Sequence, residues 1–177
     1  MSLTLDESAA MVGGHCWIER RLFEVLGAWG VAAGTPGAVA MLDRHSQHAA
    51  WRAAQWWDRL PVLAGMDRES LVTAPAGWGE LLGLAGGHLP APDGDAALLA
   101  VVHRVALPRL VARYRYHRRE ATAVADGPVI RTLAQAGHDA RSDWEEGESC
   151  LQELVVDGDS LAAASEAARR AEGSFVG

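Results

Sequence analysis

His45 and His48 stand three residues apart and are the side chains in this chain best suited to chemistry. At that spacing in a helix both imidazoles leave one face, and neutral imidazole combined with carboxylate suits Zn, Fe or Mn. The remaining candidates are scattered: His15 near the start, and His103, Tyr114 and His117 beyond the middle. We read His15, Tyr114 and His117 as packing residues, with Tyr114 and His117 towards one end of the fold. Near the end of the chain Asp139, Glu145, Glu146 and Glu148 read as a solvated helix face, and Asp143 is the inward-facing acid. No Ser-His-Asp or Cys-His nucleophile pattern is visible, and the glycine-rich pieces lack the frame of a phosphate loop. Cys16 and Cys150 form no CxxC pattern and imply neither a disulfide framework nor a zinc ribbon.

Four long helices have to position these residues. The first is expected over about 5–29, started by the capping box of Thr4 with Glu7 and carrying Met11, His15, Ile18, Leu22, Val25 and Trp29 at helical spacing. The second starts with Thr35 as N-cap and Pro36 at the first helical position. Its inner stripe (Met41, Leu42, His45, His48, Ala49, Arg52, Trp56) is unusually polar, and it stops at Leu60-Pro61. The third runs over about 93–124, apolar nearly all round in its first half, with a kink expected at Pro108. The fourth runs over about 126–155 with the cleanest stripe: Ile130, Leu133, Gly137, Ala140, Trp144, Gly147, Leu151 and Leu154.

Between the second and third helices, residues 61–93 carry Pro75, Gly77, Gly79, Gly86, Gly87, Pro90 and Pro92 around two short helices near 68–72 and 78–85. A hairpin needs only ~2–8 residues, so this length argues for a crossover that leaves the second and third helices parallel. One domain is expected over 1–157, and the Ala-rich tail 158–177 is expected as a loose helix or disordered. Strand signals are absent.

Composition sets the outer bounds. Hydrophobic residues make up 49% of 177, which is enough for a full core. The net charge is −7 and there is no lysine. Arg113, Arg115, Arg118 and Arg119 form the densest basic group, beside Glu120, and read as a solvated helix face; a nucleic-acid partner is not expected. No signal peptide and no membrane-spanning run is evident, so a cytoplasmic location is expected. Trp17, Trp51, Trp56 and Trp144 are expected to fill space between helices.

The fourth helix carries Gly137-His138-Asp139-Ala140-Arg141-Ser142-Asp143-Trp144, which resembles the fourth helix of the ferritin-like superfamily in its form Asp-Glu-x-x-His-Trp. The resemblance covers about 5–156 and implies an up-down-down-up four-helix bundle with a long crossover. It implies a metal layer too, in which Ala140 takes the Glu position and Asp143 the His position. His45-x-x-His48 replaces the Glu-x-x-His of the second helix, Glu19 matches in type, and His103 stands where a carboxylate belongs. With ~1.5 Å rise per residue, Glu19, His48, His103 and Asp143 come to a common level, about 21–25 Å along the bundle.

Two carboxylates where a dinuclear centre needs about four leave the layer short of charge. A single Fe, Mn or Zn ion held by Glu19, His45, His48 and Asp143, with His103 as a further ligand, is one reading, and it goes with an oxidoreductase of the hydroxylase or oxidase kind. We favour the other reading: no metal, with the histidines hydrogen-bonded to Glu19, Asp143 or Arg52 and fixing helix register. The chain is then a binding or oligomerisation module. A third reading is small-molecule binding in a Trp-lined core. The resemblance also implies a homodimer.

Overall fold

The computed structural model describes residues 3–62, 65, 67–83 and 94–176. These are all-helical, with no strand among them. Helices α1 (Leu5–Ala32) and α2 (Pro36–Arg59) are followed by a 3-10 turn (Arg68–Leu71) and α3 (Trp78–Leu81). Then come α4 (Asp95–Ala100), a π segment (Val101–Ala106), α5 (Leu107–Glu120), α6 (Gly127–Leu154) and α7 (Gly158–Gly173). No helix among the described residues is long and apolar enough to cross a membrane.

The local signals behave as their chemistry requires. Thr4 and Glu7 close the capping box of α1, Thr4 Oγ1 accepting from the Glu7 N–H and Glu7 Oε2 from the Thr4 N–H. Pro36 opens α2, but Thr35 does not cap it; the Thr35 hydroxyl donates to Asp95 Oδ2 at 2.6 Å, which ties the α1–α2 turn to the start of α4. The Gly34 and Thr35 N–H groups donate to the same carboxylate, and these bonds hold it below its ordinary range against the opposing effect of burial. Of the expected 61–93 crossover, 63, 64, 66 and 84–93 lie outside the described residues, including Gly86, Gly87, Pro90 and Pro92.

Pro108 does not break its helix. Proline offers no N–H to the carbonyl four residues back, and the chain meets this upstream by widening into the π segment, where the Leu107 N–H reaches the Val102 carbonyl. Helical backbone is thereby continuous over 95–120, and His103 on the widened turn is fully buried.

The pairings fix directions. Glu19 meets Arg52 and Cys16 meets Ala53, so α1 and α2 are antiparallel. Arg104 meets Glu148 and Tyr114 packs on Gly137, so the third helical stretch and α6 are antiparallel too. His45 meets His103 and Trp56 meets Tyr114, both at a separation of 58 residues, so α2 and the 95–120 stretch run parallel.

Two expectations need correcting. The 158–177 tail is not loose: Asp157 and Ser160 cap α7, whose Ala164, Ala167 and Ala171 are buried against α4 and the π segment. Beyond it Phe175 meets Trp78 edge-on and lies under the Arg109 guanidinium. Nor does every tryptophan fill the core. Trp56 is fully buried and Trp17 and Trp144 half-buried, but Trp51 is 69% exposed.

Candidate functional site

The expected layer is a column. Along α2 the side chains of His45, His48, Arg52 and Trp56 each meet polar partners on other helices, over a rise of about 16 Å. At its centre stands Arg52, which sequence reasoning treated only as a partner. Its Nε donates to Glu19 Oε1 at 2.6 Å and its Nη1 to Asp143 Oδ2 at 2.7 Å. All three side chains are buried. Burial pulls the Arg52 guanidinium down, but the charge and hydrogen bond of Glu19, then Tyr114 and Asp143, outweigh it and hold its pKa above the ordinary value. Burial also raises the Glu19 carboxyl, which Arg52 and Tyr114 offset only in part.

The proposed ligands fall into two groups. Glu19, Asp143 and His48 converge on Arg52 or its partners, with His48 Nδ1 2.7 Å from Asp143 Oδ1. His45 and His103 pair with one another one turn along, His45 Nδ1 being 3.3 Å from His103 Nε2. His45 Nε2 lies 3.7 Å from Asp143 Oδ1, so the groups touch without sharing a common centre. Among the described residues no cluster of three or more His, Cys, Asp or Glu is arranged to hold a metal ion.

The Leu99 carbonyl sets the proton arrangement that two neutral rings would take in the His45–His103 pair. His103 Nδ1–H donates to the Leu99 carbonyl at 3.0 Å, so its Nε2 accepts from His45 Nδ1–H. His45 Nε2 then presents a lone pair to Glu146 Oε2, 3.2 Å away. Two neutral rings supply two protons for three contacts, so a third proton is needed to close the chain. Burial holds both rings below the ordinary histidine value, His103 at about 3; Asp143 and Glu146 pull the other way at His45.

At the other end Tyr114 donates to Glu19 Oε1 at 2.5 Å and accepts from Trp56 Nε1 at 3.0 Å. Tyr114 is therefore a hydrogen-bonding member of the polar column as well as a packing residue. Burial, then Glu19, pushes its phenol well above the ordinary value. His15 packs on the Trp56 and Tyr114 rings and its Nε2 meets His117 Nδ1 at 3.0 Å, both rings being fully buried. Glu146, read as solvated, reaches His45; nothing in its local pattern distinguishes it from Glu145. Cys16 and Cys150 are free.

Gly147 makes room for this arrangement. A Cβ built there would lie 1.9 Å from His103 Cδ2 and 2.1 Å from His103 Nε2. The ring is held at both nitrogens, so moving it aside breaks its contacts with the Leu99 carbonyl and His45. Gly147→Ala is expected to destabilise the fold by about 1–3 kcal/mol through overpacking, although alanine is the better helix former. Urea unfolding checks this, and an unchanged midpoint would show that His103 has room to shift.

Comparisons with protein-family models, with curated proteins and with solved structures find no match to this chain.

Proposed function

We propose that the chain is a ferritin-like bundle in which an arginine stands where a metal would, and that it works as a metal-free binding module. One observation carries this: the Arg52 guanidinium bridges Glu19 and Asp143 with two charge-assisted hydrogen bonds. Arginine stays protonated throughout the working pH range, so a permanent positive charge already stands between the two acids. A divalent ion placed between them would have to expel a buried guanidinium. The antiparallel α1–α2 pair, the parallel run of α2 with 95–120 and the antiparallel α6 support an up-down-down-up order.

The test is metal content. Protein produced with Fe, Mn and Zn supplied and purified without chelators is expected to carry far less than one ion per chain by inductively coupled plasma mass spectrometry. One ion per chain would overturn the proposal in favour of a mononuclear site.

A further inference from the structure

Where the buried column meets the surface, α2 and α6 leave a groove with a cavity of about 270 Å³, lined by His48, Trp51, Gln55, Asp139 and, at its floor, Arg52 and Asp143. This is below the ~300–1,000 Å³ of sites for drug-sized ligands, so a single-ring molecule is the appropriate scale. We infer that this groove is a binding site for a small planar organic cation carrying N–H donors. The assignment rests on the metal-free, binding-module reading above and gives it a ligand class.

Four observations define the class. Trp51 is 69% exposed beside the groove, with its ring 6.0 Å from the His48 ring; a bare indole face attracts flat cations. His48 is held in place from behind by the 2.7 Å contact of its Nδ1 with Asp143, which Arg52 fixes in turn, so its Nε2 stands at a defined angle at the groove. Gln55 adds an Oε1 that has no hydrogen-bond partner among the described residues. Finally, Arg52 spends Nε and Nη1 on Glu19 and Asp143 and leaves only Nη2 without a partner, and Asp139 adds a second lining carboxylate, so the carboxylates of the lining outnumber its one guanidinium. Acceptors, an aromatic face and negative charge together select an amidine-like or protonated heteroaromatic ligand and disfavour an organic anion.

Benzamidine, benzamide and benzoate are near-isosteres of charge plus one, zero and minus one, and serve as probes on the full chain. Titration calorimetry with Trp fluorescence is expected to show saturable one-to-one binding of benzamidine. Benzamide should bind at least tenfold more weakly and benzoate not measurably. Trp51→Ala and Asp139→Asn replace side chains outside the buried core and should each weaken benzamidine at least fivefold while the unfolding midpoint stays put. Benzoate binding as well as benzamidine, or unchanged affinity in Trp51→Ala, would overturn the inference. Metal content read on the same sample separates the two claims. Metal-free protein that ignores benzamidine sinks the groove alone, and one ion per chain sinks the metal-free reading whatever benzamidine does.

Discussion

Arg52→Met is expected to lower the stability of the fold by about 3–5 kcal/mol, the cost of leaving buried charges without their partner. Glu19 and Asp143 are both buried, and each accepts one short hydrogen bond from Arg52. Methionine fills a similar volume, so the loss is electrostatic and not a cavity. Two companions make the result diagnostic. Arg52→Lys keeps the charge but offers one point of donation where the guanidinium uses two different nitrogens, and should recover only part of the loss. The triple variant Glu19→Gln, Arg52→Met, Asp143→Asn removes all three charges and should recover most of it, since a buried ion pair is often matched by neutral groups of the same shape. Urea midpoints at constant slope measure all three. An Arg52→Met protein as stable as the wild type would mean that the two acids find protons or water without cost.

The second large effect is on acid stability. His15, His45, His103 and His117 are all buried and all held below the ordinary value of 6.5, His117 at about 4 and His103 at about 3, chiefly by burial. A base whose folded pKa is depressed leaves the unfolded chain holding more protons between the two values, so stability rises with pH there. The contribution is complete above about pH 6.5 and is lost as pH falls towards 4 and then 3. Each such histidine contributes a slope on the order of 1.4 kcal/mol per pH unit. Glu19, raised from its ordinary value of 4.5, acts in the opposite sense above that value and offsets part of the slope. Urea midpoints are therefore expected to fall steadily from pH 7 to pH 4. His103→Gln should reduce the slope by about one proton's share. Midpoints that are flat from pH 7 to pH 5 would contradict neutral burial. His45 should protonate before His103, because Asp143 and Glu146 stand at its free nitrogen while the free Nε2 of His103 faces the His45 ring.

The helices were legible where caps and stripes carried physical signals: Thr4 with Glu7, Pro36, the stop at Leu60-Pro61, and the apolar run before Pro108. The polar stripe of α2 is where the buried polar contacts gather. Its geometry was not legible, because a rise per residue locates Cα atoms and not the ends of long side chains. Tyr114, Glu19 and Arg52 each extend several ångströms, so residues estimated at different levels touch and residues estimated at one level divide into two groups. Helix α7 was obscure for another reason. It packs through Ala164, Ala167 and Ala171, and a stripe of alanines in an Ala-rich segment gives almost no contrast; the Asp157–Ser160 cap was the one usable signal.

The shared separation of 58 residues between α2 and the 95–120 stretch has a kinetic consequence. Each antiparallel pair can zip from its own turn, but the bonds between the two pairs close longer loops, of 58 residues and more against 33 to 44 within a pair, and wait for docking. The Asp143 bonds to Arg52 and His48 span 91 and 95 residues, so they form late and are absent from whatever intermediate holds the two pairs apart. A docking shifted by one turn would leave the Asp143 carboxylate buried without its partner, while Arg52 would keep only Glu19. Slippage of α6 along α2 by one turn would separate Asp143 from Arg52 and His48, a cost that apolar faces alone would not impose.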